Sequence, residues 1–273
     1  MKFGLDVSQH QLTFDEILNR TRLAEDAGFD GAWVFDHFTA LYGAPGGPCL
    51  EAWTLLGALA AHTSRIRLGT LVTGITYRHP SILATEVVTL DHASKGRIEF
   101  GIGAAWNENE HRSLGIPFPS TKERMERLED GIEIFRRLTT GERVSYQGRH
   151  TVLDNAQYRP LPIQRPHPPI WIGANGAQLG LPLVGRQADA WHAWDPGYAK
   201  KWDIVRKSAE KAGRDPDTIL KSTSLSISEP WDEVRRNYDR HVGNGVSYLV
   251  VGWPSEGRGR FDEFVDTVLP NLR

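Results

Sequence analysis

Short apolar runs recur along the chain, separated by amphipathic stretches. The runs are Phe3–Val7, Gly31–Phe35, Ile66–Val72, Ile98–Ile102, Pro168–Ile172, Ala188–Trp194, Ile219–Ile227 and Tyr248–Val251. Several are apolar throughout and do not alternate, as in strands covered on both faces of a parallel sheet. Between them the helix signals are local. Thr13 with Glu16 makes a capping box, Phe14, Ile17, Leu18, Thr21 and Ala24 follow, and Gly28 offers a stop. Pro80 stands where a first-turn proline belongs, ahead of Leu83, Val87 and Leu90. Ser120 with Glu123 opens a helix through Met125, Leu128, Ile132, Phe135 and Leu138, ended by Gly141. A last helix carries Phe261, Phe264, Val265, Val268 and Leu269.

Eight strand–helix units follow from this pattern. They predict an α/β fold, either a closed (β/α)8 TIM barrel or a doubly wound open sheet. A dinucleotide-binding sheet needs a glycine-rich turn after its first strand, and here Val7 is followed by SQHQLTF. The barrel is therefore expected, as one domain over residues 1–273. Its longest inter-strand segment, Gly103 to His167, is turn-rich and proline-rich at its end. That segment predicts an excursion over the barrel between strands four and five. The segment Leu50–His62 is apolar nearly all round, whereas an outer barrel helix needs one apolar face. A second apolar face predicts another partner, a homodimer through this helix or an excursion loop folded over it, of which the homodimer is expected.

Composition removes several function classes. In 273 residues, 32 Lys plus Arg against 34 Asp plus Glu leave a net charge of −2. That balance gives no global attraction to nucleic acid or an anionic membrane. The single cysteine, Cys49, excludes an internal disulfide or a cysteine-ligated metal cluster and suits a reducing cytoplasm. The apolar stretch Phe3–Val7 is too short for a signal peptide or a membrane span. A soluble, cytoplasmic globular protein is expected.

Barrel active sites form at the C-terminal ends of the strands. That rule selects Asp36-His37-Phe38, then Thr73-Gly74 with Tyr77-Arg78-His79-Pro80, then Gly103 through His111, then Gly173 through Ala177, then Trp194-Asp195. His37 is placed either to exchange a proton near neutrality or to cap its loop. The small residues Gly103-Ala104-Ala105 admit a flat ligand or serve tight packing. Gly173-Ala174-Asn175-Gly176-Ala177 precedes a helical pattern, so it is either a phosphate-binding turn or a plain one. No metal-ligand spacing, nucleophile elbow or Walker loop is present. Glu108 or Glu110 with Asp36 could form a glycosidase carboxylate pair.

These segments together resemble the luciferase-like monooxygenase superfamily, (β/α)8 proteins that use a flavin or the deazaflavin coenzyme F-420. The resemblance rests on FDHF (Phe35–Phe38), TSRIRLGTLVTGITYRHP (Thr63–Pro80), GRIEFGIGAAWNENEHRSLGIPFP (Gly96–Pro119), RPHPPIWIGANG (Arg165–Gly176) and VVGWPSEGRG (Val250–Gly259). The Asp-His pair is similar to that of the F-420 users. It implies that His37 exchanges the substrate proton, with Asp36 orienting it and Glu110 as a second acid/base. The resemblance assigns the bulge behind the ring to Leu71 and Val72, joined by a cis peptide. It assigns the strand-four turn to Gly103, Ala104 and Trp106, and the phosphate turn to Gly173, Ala174, Asn175, Gly176 and Ala177. Trp106 and Trp194 would wall the substrate. The family's sugar-phosphate dehydrogenases carry a carboxylate near the strand-four turn where this chain has Trp106, which makes glucose 6-phosphate a poor substrate. The implied activity is hydride transfer between F-420 and a small organic molecule. Its rivals are an FMN-dependent two-component monooxygenase served by a flavin reductase, and a redox-silent flavin-binding barrel or hydrolase.

Overall fold

The computed structural model describes residues 1–194 and 196–272; Asp195, singled out above, lies outside the described residues. In chain order the barrel strands are β1 (Lys2–Asp6), β2 (Gly31–Val34), β3 (Arg67–Thr70) continued by β4 (Thr73–Gly74), and β5 (Ile98–Gly103). After a hairpin of β6 (Val144–Gln147) and β7 (Val152–Ala156) come β8 (Ile170–Gly173), β9 (Ala190–His192), β10 (Leu220–Leu225) and β11 (Tyr248–Gly252). All barrel pairings are parallel. β1 lies between β2 and β11, and β3 meets β5 with Leu68 opposite Ile98, so the sheet closes on itself. The chain is the expected (β/α)8 TIM barrel.

The outer layer is α1 (Phe14–Asp26), α2 (Ala52–His62), α3 (Pro80–Ala93), α4 (Glu108–Ser113), α5 (Thr121–Leu138), α6 (Gly180–Gln187), α7 (Tyr198–Lys211), α8 (Trp231–Gly243) and α9 (Arg258–Glu263). Both capping boxes close on one side only. Thr13 Oγ1 accepts from the Glu16 amide at 3.3 Å, but the Glu16 carboxylate turns to Arg20 at 2.7 Å. Ser120 caps Glu123 in the same way, and Glu123 pairs with Arg127. Each guanidinium, one turn along, offers a charged partner that outcompetes the neutral cap amide. The last helix is not continuous, for it widens to a π turn over Phe264–Val268 and tightens to a 3-10 turn over Leu269–Asn271.

The expected excursion between strands four and five is present, and it runs down the outside of the barrel. The Asp91 carboxylate accepts from the Ile163 and Gln164 amides, and Gln164 Nε2 donates to the Ile98 carbonyl at the start of β5. The helix at 50–62 starts at Ala52, capped by Glu51, and its second apolar face is largely covered within the chain. Trp53, Leu55, Leu56 and Leu59 are all buried, which leaves Thr54, Ala61 and His62 exposed and Gly57 and Ala58 half-buried.

Inside the barrel, the lower lumen is an aromatic plug. Trp33, Trp171 and Tyr248 meet there, with Trp33 Nε1 donating to Tyr248 Oη at 3.1 Å and Trp171 Nε1 to buried Glu99 at 2.7 Å. Gly4 makes room, because a Cβ there would overlap the Trp33 ring and the Tyr248 hydroxyl. A filled lower barrel leaves open space only above the plug, at the C-terminal ends of the strands. Among the described residues, no helix is long and apolar enough to cross a membrane.

Candidate active site

The segment after β2 is held from three sides. Gln9 clamps Phe35 by donating to its carbonyl at 2.9 Å and accepting from its amide at 3.1 Å. Arg78 grips the buried Asp36 carboxylate through two nitrogens, at 2.6 and 3.1 Å, and also meets Glu51 and Glu86. Burial raises the Asp36 pKa, and Arg78 works against that rise.

Glu110, in the first helical turn after β5, holds His37. Its Oε2 meets His37 Nδ1 at 2.9 Å and accepts from the Tyr77 hydroxyl. Its Oε1 accepts from the amides of Phe38 at 2.8 Å and Thr39 at 3.0 Å, and from Thr39 Oγ1 at 2.9 Å. Burial would push the Glu110 pKa up, but the hydrogen bonds from His37 and Tyr77, the His37 charge and the Thr39 amide bring it down to about 2. Glu110 is therefore an anion at every working pH. An ionised carboxylate only accepts, so Nδ1 carries the hydrogen of this contact and Nε2 is the ring nitrogen left for another partner.

The expected partner of His37 is corrected: Arg78 holds the Asp36 carboxylate, and the carboxylate bonded to His37 is that of Glu110. Glu110 is buried and is not among the residues that line the cavity. The glycosidase pair is also disassembled: Glu108 is exposed and paired with Arg112, while Asp36 and Glu110 are both engaged.

Between β3 and β4 the Leu71–Val72 peptide is cis. Around it Thr70 Oγ1 donates to the Gly101 carbonyl at 2.7 Å, Thr73 Oγ1 donates to Thr70 Oγ1, and Trp53 Nε1 donates to Thr73 Oγ1. Val72 lies where a Cβ at Gly103 would come within 2.8 Å of its methyl and one at Gly173 within 3.1 Å. The two glycines let the bulge stand against both neighbouring strands.

His37, Tyr77 and the Leu71–Val72 bulge face one cavity of about 630 Å³. His37, Leu71, Val72, Gly103, Ala104, Trp106, Gly173 through Ala177 and Trp194 line it, with Tyr77, Met125, Leu128 and Leu179 closing the sides. Trp106 stands edge-on to His37 at 5.5 Å and is 65% exposed; Trp194 is 43% exposed, so both form the rim. The glycine turn needs a correction. The helix after it begins at Gly180, with Ala177–Leu179 as an intervening turn, so the turn does not itself form a helix N-terminus. Gly176 still faces open space, with nothing within 4 Å of where a Cβ would stand.

The sequence pointed to Tyr77 and Arg78 only as part of a loop after strand three, and gave no role to Gln9, Met125 or Leu128. Tyr77 and Arg78 act on residues more than thirty positions away, which local pattern does not encode.

A closed barrel with a ligand-sized cavity at its mouth, floored by a backbone bulge and faced by one histidine, defines a (β/α)8 barrel enzyme. The chain belongs to the luciferase-like monooxygenase family, which it matches over residues 1–266. It is 35% identical to an F-420-dependent glucose-6-phosphate dehydrogenase of Microbacterium testaceum, over 84% of this chain and 68% of that protein. It is 32% identical to an F-420-dependent hydroxymycolic acid dehydrogenase of Mycobacterium tuberculosis, over 81% of this chain and 61% of that protein. Among solved structures, an F-420-dependent secondary alcohol dehydrogenase in complex with an F-420–acetone adduct shares the fold, with TM-score 0.89, 19% identity, and 100% and 99% of the two chains covered. The coenzyme F-420-dependent tetrahydromethanopterin reductase of Methanopyrus kandleri shares it too, with TM-score 0.86, 20% identity, and 100% and 99% covered.

Proposed function

We propose that this protein is an F-420-dependent oxidoreductase that moves a hydride between the coenzyme and a small organic substrate at the barrel mouth. The observation that carries this reading is His37. It is buttressed by an anion on Nδ1 and sits on the wall of a cavity that also contains the Leu71–Val72 bulge.

The residues fit a flat cofactor ring. About 630 Å³ is the size of a pocket for a cofactor-sized ligand, and the lining is mainly apolar with a few placed polar groups. Leu71 and Val72 would back the ring, Gly103 and Ala104 would let it approach, and the open turn Gly173–Ala177 would take its phosphate. Coenzyme F-420, when bound, supplies the two-electron donor or acceptor, and the protein supplies position and electrostatics.

The protein's own part is proton handling. His37 takes a hydroxyl proton from the substrate on Nε2 and returns it in the reverse direction. Glu110 stays ionised throughout and steadies the imidazolium that forms. Trp106, Trp194 and Leu179 would stand around the substrate at the rim of the cavity. The test is to titrate the purified protein with F-420 and with FMN. Tighter binding of F-420 is expected; tighter binding of FMN would make the protein a two-component monooxygenase that needs a flavin reductase.

We further propose a homodimer through α2, a finer point than the site. It rests on the narrow strip at Gly57, Ala58 and Ala61 and on Ile82 of the adjoining α3, 54% exposed. A dimer is expected by light scattering at micromolar concentration, and a monomer there would sink it. The cytoplasm is the proposed compartment, where the half-buried Cys49 thiol stays reduced.

A further inference from the structure

The walls of the His37 cavity offer no cation to a ligand. Among the described residues that line it no lysine or arginine is present, and Asp36 and His37 are the acid and base there. Asp36 is gripped by Arg78, which lies outside the lining and is shared with Glu51 and Glu86. The element suited to an anion is the turn Gly173–Ala177, which the F-420 reading gives to the phosphate of the coenzyme. A second anion in this cavity finds no counter-charge.

The polar side chains of the walls are committed as well. Thr73 Oγ1 donates to Thr70 Oγ1 at 3.1 Å and accepts from Trp53 Nε1 at 3.0 Å. The Tyr77 hydroxyl donates to Glu110, and Asn175 Oδ1, in the turn, accepts from Lys201 Nζ at 2.7 Å. Trp53, Thr70, Glu110 and Lys201 all lie outside the lining, so these wall groups are spent on partners beyond the cavity. Thr121 and Gln178 line it from exposed positions, where water satisfies them. The rest of the space beside His37 is walled by Trp106, Met125, Leu128, Leu179 and Trp194, all apolar in what they offer, and His37 Nε2 is the ring nitrogen left for a partner.

Resting on the F-420 reading, we infer that the substrate is an uncharged molecule with an apolar body and a single hydroxyl, or the carbonyl compound made from it. Its oxidation gives up a hydride from carbon to the coenzyme and a proton from oxygen to His37, and the C–O bond becomes a carbonyl. One hydroxyl is matched by His37 Nε2. Each further hydroxyl would exchange water for a wall whose polar groups are already bonded, and a phosphate would do so without a cation. A polar group left unmatched rejects a ligand far more strongly than a missing methylene does. The tryptophan, methionine and leucine side chains reward an apolar body by the area they bury with it. Polyols and phosphate esters are therefore selected against by the same walls.

The test uses three probes that share a six-membered ring and differ in hydroxyl count and charge: cyclohexanol, D-glucose and cyclohexyl phosphate. Binding is read by ligand-observed NMR titration, which needs no turnover. It is measured on the protein saturated with F-420, so that the turn is occupied, and again without the coenzyme. With F-420 present, cyclohexanol is expected to bind at least tenfold more tightly than either of the others. Leu179→Arg adds a cation at a wall position that is 47% exposed, and should raise the affinity for cyclohexyl phosphate at least tenfold. Leu179→Gln should not, with folding of both variants checked by thermal denaturation. Glucose or the phosphate ester bound as tightly as cyclohexanol, no binding by any probe, or an arginine variant no better than the glutamine one overturns the inference. Cyclohexanol preferred by a protein that does not bind F-420 sinks the cofactor reading alone; F-420 binding without that preference sinks the substrate class alone.

Discussion

In the proposed reading His37 and Glu110 divide one task between them, and each division predicts its own phenotype. Replacing His37 by Ala would remove the group proposed to move the proton while leaving the bulge and the glycine turn proposed to hold the coenzyme. Turnover should fall roughly a hundredfold or more with the F-420 dissociation constant nearly unchanged. An unchanged turnover would remove His37 from the mechanism. Glu110 acts through position and charge, so its effect appears in stability as well. Its folded-state pKa of about 2 lies below the ordinary 4.5. Above pH 4.5 the carboxylate is ionised in both folded and unfolded chains, and its stabilisation is fully present. As pH falls from 4.5 towards 2 the unfolded chain takes up the proton first, and that stabilisation is lost. Glu110→Gln should therefore be less stable at neutral pH and show a flatter fall over that acid range, measured by urea denaturation across pH. An acid limb identical to the parent's would show that Glu110 is not held as described. Asp36 and Glu110 were both visible in the sequence, but their partners were not. Which carboxylate reaches His37 depends on where Arg78 lands, and Arg78 is 42 positions from Asp36.

At the scale of elements, the third barrel strand shows what close approach demands of its neighbours. A Cβ at Gly101 of β5 would run into the Thr70 carbonyl at the end of β3. Gly101→Ala should cost about 1–3 kcal/mol by overpacking, read from thermal unfolding. A variant as stable as the parent would mean that the strands have room to part. Gly176 is the opposite case, since open space surrounds its missing Cβ. Gly176→Val should leave the melting temperature unchanged and weaken F-420 binding about tenfold or more if the turn takes the phosphate, as titration would reveal. Full affinity would place the phosphate elsewhere. The apolar runs announced these strands to within a few residues, and Thr13, Pro80 and Ser120 marked helix starts correctly. The path of the excursion was not legible, because it depends on Asp91 and Ile98, distant in sequence, meeting Gln164.

For the whole molecule, a coenzyme that binds only the folded barrel must stabilise it. At a free concentration a hundred times its dissociation constant the gain is about 2.7 kcal/mol, which should raise the melting temperature by roughly 5–10 °C. A melting curve unmoved by saturating F-420 would contradict the proposed cofactor. The sequence alone determined the barrel, because uniformly apolar strands alternating with capped amphipathic helices bury their surfaces well in that architecture. It also pointed to the strand ends that line the cavity, since His37, the bulge and the glycine turn are local features of their own segments. Only the tertiary structure decided that Glu110 and not Asp36 holds His37, that α2 spends most of its second apolar face within the chain, and that Trp33, Trp171 and Tyr248 plug the lower lumen. Each of these depends on groups that closure of the barrel brings together from distant strands, and the periodicity of a single segment carries no information about what lies across the lumen.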